Sequence, residues 1–263
     1  MLFIFDLDGV IYRGGEPVPY SAEAVAQLRK QGHFACFLTN NSACTRAFYA
    51  QKLAALGIPA EPSDIMTSAY ATALYLQENG LSGSRVLVIG EDGLREELAQ
   101  AGVTFVDPPA EDRADVVVAG IDRAFTYQKL KAAQQAILNG ALFVATNRDA
   151  TYPLEGGAVE PGGGAIVAAI EVASGRSPVL IGKPSDYTVR RILDSHGVRP
   201  EDAVIVGDRL DTDTAVGKAV GLKTVLVLTG VTTLQQVANA DPTYTPDIVL
   251  PNLQDLPQAI SIL

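Results

Sequence analysis

The sequence is short of cysteine, of basic residues and of long apolar runs, and each shortage closes off a class of protein. Its two cysteines, Cys36 and Cys44, are too few for a disulfide framework, which excludes a small stapled scaffold. No apolar run approaches the roughly 20 residues that a membrane-spanning helix needs. The opening segment from Met1 to Asp6 carries no basic residue and is too short an apolar stretch for a signal peptide. These features predict a cytoplasmic protein with no membrane partner. Lys and Arg number 20 against 30 Asp and Glu, a formal net charge of −10. No basic surface is on offer to displace counterions from nucleic acid, which excludes that partner. An anionic substrate would need a local cationic site to overcome the overall field. Nucleotide-binding fingerprints are missing too: the stretch Val86-Leu87-Val88-Ile89-Gly90 opens like a dinucleotide site but lacks G-x-G-x-x-G, and there is no P-loop.

What is there is a rhythm. The 263 residues, 48% hydrophobic and 19% charged, can bury a sizeable core. Runs of Val, Ile and Leu predict eleven strands, at 2–5, 34–38, 65–67, 86–89, 103–106, 116–121, 142–145, 179–181, 203–206, 224–228 and 248–249. Between them, helical spacing predicts helices near 21–31, 45–56, 69–79, 94–101, 127–139, 165–173, 187–196, 213–220 and 234–240, with Ser21 as the N-cap of the first. Continuous apolar strands joined by helices make a parallel sheet covered on both faces. Eleven strands are many for one sheet, and the segments 78–83 and 175–178 read as joints. The expected architecture is therefore α/β: a Rossmann-like parallel-sheet core built from residues 1–79 and 179–263, with a second α/β unit, residues 80–178, inserted between them.

Reactive groups in such sheets lie just past the carboxyl ends of the strands. Those positions hold Asp6-Leu7-Asp8-Gly9, Thr39-Asn40-Asn41-Ser42, Gly182-Lys183-Pro184 and Gly207-Asp208, with Asp211 and Asp213 following. Asp6 and Asp208 brought together would suit a hard cation such as Mg²⁺, which keeps several waters and leaves room for a phosphate oxygen. Thr39, the turn amides of residues 40–42 and Lys183 are donors for the remaining phosphate oxygens. A carboxylate beside a metal-bound phosphate can attack phosphorus, and a second carboxyl two residues on can shuttle the proton. Each segment also has a structural role open to it: an Asp-Gly turn, a helix cap, a solvated lysine, or acids that complement a helix dipole.

Together these segments resemble the haloacid dehalogenase-like hydrolases. Phe5-Asp6-Leu7-Asp8-Gly9-Val10 is similar to motif I, Leu38-Thr39-Asn40-Asn41-Ser42 to motif II, Gly182-Lys183-Pro184 to motif III, and the segment from Gly207 to Asp213 to motif IV. The middle of the chain, with Thr146-Asn147-Arg148-Asp149 and the glycine-rich segment from Pro161 to Val167, resembles the large α/β cap of the nitrophenylphosphatase-like branch, subfamily IIA. The motifs occur in order and the resemblance spans nearly the whole chain.

The resemblance implies a Mg²⁺-dependent phosphatase that hydrolyses small-molecule phosphate monoesters through an aspartyl-phosphate. Asp6 would be the nucleophile and Asp8 the general acid and base. Mg²⁺ would be held by the Asp6 carboxylate, the Asp8 backbone carbonyl and the Asp208 carboxylate. Thr39, Asn40, Asn41 and Lys183 would bind the phosphate, and Asp213 would orient Lys183 or a metal-bound water. Asn147, Arg148, Asp149 and Tyr152 are candidates for specificity in the cap, a polar capping turn being the alternative for them. The resemblance admits a homodimer. Two other readings stay open: a phosphotransferase or phosphomutase of the same superfamily and, in a different class, an aspartyl-phosphate signalling domain. The length of the chain counts against the last, as does a second carboxyl placed to discharge the phosphate.

Overall fold

The structure, a computed structural model, describes residues 1–108, 113–153 and 158–260. The first segment runs β1 (Leu2–Asp6), a hairpin of β2 (Tyr12–Arg13) and β3 (Glu16–Pro17), α1 (Ser21–Lys30), β4 (Phe34–Thr39), α2 (Arg46–Ala55), β5 (Ile65–Thr67) and α3 (Ser68–Glu78). The middle runs β6 (Arg85–Ile89), α4 (Asp92–Ala99), β7 (Thr104–Val106), β8 (Val116–Ala119), α5 (Tyr127–Leu138), β9 (Leu142–Ala145), a hairpin of β10 (Thr151–Pro153) and β11 (Val159–Pro161), α6 (Gly163–Ser174) and β12 (Val179–Leu180). The last segment runs α7 (Tyr187–His196), β13 (Ala203–Gly207), α8 (Ala215–Val220), β14 (Lys223–Val227), α9 (Leu234–Ala238), β15 (Ile248–Leu250) and α10 (Leu256–Ala259).

All eleven predicted strands form, and they divide between two parallel sheets. The larger has the order β15-β14-β13-β1-β4-β5, the smaller β12-β9-β8-β6-β7. The strands β1, β8 and β13 are buried along their whole length, as their sequences, apolar but for Asp6 at the end of β1 and Gly207 at the end of β13, require when helices cover both faces. The helices begin where a side chain can take up a free amide: Thr45, Thr67 and Thr126 each accept a hydrogen bond in the first turn of α2, α3 and α5. The first helix differs from expectation. Ser21 is its first residue, and Tyr20, with a left-handed φ of 68°, holds the cap position.

The strand at 179–180, grouped by sequence with the returning core, pairs instead with β9 in the smaller sheet. The ladder continues past its end, Ile181 N donating to Ala145 O at 3.0 Å and Gly182 N to Thr146 O at 2.8 Å. The next residue is Lys183, so the smaller sheet delivers this lysine directly to the ends of the larger sheet's strands.

The two sheets also share one buried apolar cluster. Leu2, Ile4 and Leu38 of the larger sheet and Val86, Val118 and Val144 of the smaller one belong to it, joined through Ala69, Ala73 and Leu76 of α3 and Leu94 and Leu98 of α4. At its margin, buried Glu97 of α4 pairs with Arg46 at the start of α2, accepting from its backbone N at 2.8 Å and its Nε at 3.3 Å. The Arg46 guanidinium lies 3.4 Å from the centre of the Tyr70 ring on α3. No helix among the described residues is long and apolar enough to cross a membrane.

Candidate active site

β1 lies between β13 and β4, so the parallel register brings the ends of three strands to one edge. Asp6 closes β1, Thr39 closes β4 and Asp208 follows β13. Beyond Asp6 the chain folds into a tight turn in which the amides of Val10, Ile11 and Tyr12 all donate to Leu7 O. Buried Leu7, Val10, Ile11 and Tyr12 anchor it from below. Gly9 has φ 85° and sits so close to Asp208 that a Cβ there would lie 2.6 Å from its Oδ2. Only glycine meets both conditions without strain. Asp213 is carried by a π-helical turn over Leu210–Thr214, a local irregularity that recurs at functional sites.

The centre of the site is a buried cation between two carboxylates. Lys183 Nζ lies 2.7 Å from Asp6 Oδ1 and 2.6 Å from Asp213 Oδ1. Burial works against the ammonium, but the charges of Asp213 and Asp6 outweigh it and hold its pKa above the ordinary range. Burial pushes the Asp6 carboxyl well up despite Lys183, and Asp213 and Asp208 push it further. Asp208 is pushed up to about 7 by burial and by Asp213, and Asp8 to about 6 by burial, with Lys52 and Lys183 pulling the other way.

These shifts describe a crowd of carboxylates awaiting positive charge. Carboxylate oxygens of Asp6, Asp208 and Asp213 lie within 4.8 Å of one another. Asp208 Oδ2 accepts from Val231 N at 2.6 Å, while its Oδ1, like Asp8 Oδ1, is buried with no hydrogen-bond partner. Buried acceptors are rarely left so. Hard oxygen donors with spare lone pairs are what a Mg²⁺ ion requires, so the residues present fit that ion.

Around this centre opens a cavity of about 730 Å³. Its lining includes Asp6, Asp8, Thr39, Asn40, Asn41, Asn147, Asp149, Tyr152, Lys183 and Asp208. Other expected residues stand differently. Arg148 is absent from that lining and pairs with Glu171 on α6, Nη2 to Oε1 at 3.0 Å. The Asn40 carboxamide is engaged with Lys183 and Asp149. Asn41 donates its backbone N–H to Thr39 Oγ1 at 3.1 Å and accepts from Ala43 N at 2.8 Å. Asp213 lies behind the cavity, held by Arg209 N at 3.2 Å as well as by Lys183.

Sequence reasoning missed three cations. Arg13 and Arg209 line the cavity. Lys52, 3.3 Å from the centre of the Tyr12 ring, acts electrostatically on Asp8. Arg13 sits on a two-residue strand and Lys52 in mid-helix, so no local pattern marks either. Arg209 lies inside the motif around Asp208 and could have been found there.

Known proteins resemble this chain in sequence and in fold. A family model described as haloacid dehalogenase-like hydrolase matches residues 3–104, and a HAD-hydrolase-like model matches residues 180–256. A human glycerol-3-phosphate phosphatase is 39% identical, the match covering 98% of this chain and 90% of the relative. Among solved structures, a p-nitrophenyl phosphatase from Archaeoglobus fulgidus superposes with a TM-score of 0.90 at 37% identity, covering 98% of both chains. A glycerol phosphate phosphatase from Mycobacterium tuberculosis, solved in complex with magnesium, superposes with a TM-score of 0.89 at 35% identity, covering 97% of this chain and 75% of that one.

Proposed function

The chain belongs to the haloacid dehalogenase-like hydrolases, and on that premise we propose that it is a Mg²⁺-dependent phosphatase of small phosphate monoesters that works through an aspartyl-phosphate on Asp6. The observation that carries the reading is the Lys183 ammonium between Asp6 and Asp213, beside an Asp208 oxygen with no partner. The Asp6 and Asp208 carboxylates and the Asp8 backbone carbonyl would hold the metal. Bound there, Mg²⁺ supplies the positive charge that lets a phosphate dianion approach a carboxylate. Lys183 and the groups around Thr39 hold the other phosphate oxygens.

An Asp6 carboxylate oxygen attacks phosphorus, the bond from phosphorus to the ester oxygen breaks, and the departing oxygen takes the Asp8 proton. Water then attacks the phosphorus of the aspartyl-phosphate, giving its proton to Asp8, and phosphate leaves with the Asp6 carboxylate restored. Positioning and charge stabilisation do most of the work in such transfers. The protonated Asp8 that the first step needs is consistent with a carboxyl pushed up to about 6 by burial.

The inserted segment between the two halves of the larger sheet acts as the cap. Its Asn147, Asp149 and Tyr152 line the cavity wall and would face the leaving group. The human relative's name points to glycerol phosphate as the first natural substrate to try. The test is release of 4-nitrophenolate and of phosphate with and without Mg²⁺, by the native chain and by Asp6→Asn. Native turnover that depends on Mg²⁺, lost in Asp6→Asn together with acid-stable labelling by ³²P-substrate, is the expected result. Near-native turnover by Asp6→Asn would overturn it.

A further inference from the structure

We propose that Asn40 is a positioning residue, registering Lys183 against the larger sheet and coupling it to the cap; the proposal rests on the phosphate-binding role given to Lys183 above. The Asn40 carboxamide grips both main-chain groups of that lysine: Oδ1 accepts from Lys183 N at 2.8 Å, and Nδ2 donates to Lys183 O at 2.9 Å. A carboxamide offers an acceptor and a donor in one plane, so it can pair with both main-chain groups of one residue. Gly182 allows the approach, since a Cβ there would lie 2.6 Å from Asn40 Oδ1.

The lysine needs such a grip. It arrives from the smaller sheet, whose ladder ends at Gly182 N, yet its ammonium must reach Asp6 on the larger one. Asn40, one residue past the end of β4, is where the larger sheet takes hold of it.

The same residue meets the cap. Its second amide hydrogen points to Asp149, Nδ2 to Oδ1 at 3.3 Å, and its backbone carbonyl accepts from Asn147 Nδ2 at 2.6 Å and from Ser68 Oγ on α3 at 2.5 Å. With both amide hydrogens committed, the side chain has no donor left for a phosphate oxygen. Its effect on the reaction therefore passes through Lys183.

The experiment measures kcat and KM for 4-nitrophenyl phosphate, the inhibition constant of inorganic phosphate and the Mg²⁺ concentration for half-maximal activation. Asn40→Ala is expected to lower kcat/KM about tenfold to a hundredfold, as loss of a supporting partner does elsewhere. It should weaken phosphate inhibition in step and leave the Mg²⁺ requirement unchanged. Native values of kcat/KM and of phosphate inhibition would overturn the proposal, and so would parallel loss of Mg²⁺ affinity, which marks general collapse of the site.

Asn40→Asp and the pair Asn40→Asp with Asp149→Asn keep the proposal testable if Asn40→Ala does not fold: both lose the donor to Lys183 O, so native kcat/KM in either would overturn the grip on the lysine. The single change sets a carboxylate against Asp149, and the pair restores an amide facing a carboxylate with the roles reversed. Recovery of activity in the pair over the single variant is expected from the coupling, and its absence would overturn the link to the cap. A native enzyme that releases no phosphate with Mg²⁺ defeats the functional reading itself, whereas an active native enzyme with an equally active Asn40→Ala defeats only this inference.

Discussion

The Asp8 carboxyl, pushed up to about 6 by burial against the pull of Lys52 and Lys183, keeps its proton on a fraction of molecules near neutral pH. On the proposed mechanism, Asp8→Asn removes both the donor for the leaving oxygen and the base for water. Steady-state turnover of glycerol phosphate should then fall by about 10²–10⁴, the usual contribution of a positioned acid or base. 4-Nitrophenolate leaves with little help, so the variant should still form the phosphoenzyme and release one equivalent of dye in a burst seen by stopped flow. Lys183→Ala should lower kcat/KM by about 10²–10³, the scale of one lost charge-stabilising donor, and should weaken inhibition by phosphate. Asp6, Asp8, Thr39 and Asp208 could be picked out by sequence because a parallel sheet puts every strand end at one edge, and Lys183 because it too follows a strand end, that of the smaller sheet. The grip of Asn40 on Lys183 could not, because a local motif names a residue and not the partner 143 positions away.

At the scale of elements, a buried ion pair lies where α2, α3 and α4 meet. Glu97 is buried with its charge neutralised by Arg46, and its Oε1 also takes the backbone N–H of Arg46 at the start of α2. Glu97→Ala leaves that arginine and that amide without their partner. The expected loss is about 3 kcal/mol, the lower end for breaking a buried pair, read as a lower denaturation midpoint in urea with an unchanged slope. Every apolar strand and most helices were legible, since period and caps are local. The hairpins of β2 with β3 and of β10 with β11 were not, because two or three residues are too few to show alternation. These short pieces contribute Arg13, Thr151, Tyr152 and Val159 to the cavity wall, so the least legible elements line the cavity.

For the molecule as a whole, the site concentrates negative charge on a chain that already carries a formal −10. Asp8 and Asp208 are raised to about 6 and about 7. The metal-free folded chain therefore holds protons that the unfolded chain, with aspartates near 3.9, has released. Where the native state binds more protons, stability falls as pH rises. The Tm of EDTA-treated protein should thus decline between about pH 4 and pH 7, and Asp208→Asn should flatten the decline. Adding Mg²⁺ at pH 7 should raise the Tm of the native chain in a concentration-dependent way, and of Asp208→Asn much less. A metal-free Tm that climbs across that interval would contradict the electrostatics described for the site.

The passage of β12 straight from its ladder with β9 into Lys183 sets a rule for anyone recombining such enzymes. A foreign lid spliced in at the two joints would bring pocket walls of new shape, yet it would also replace the rail along which Lys183 is threaded to Asp6. Chimeras should keep the native stretch from β9 through Pro184 as one cassette, or else import a lid whose own edge strand carries its lysine in the same register.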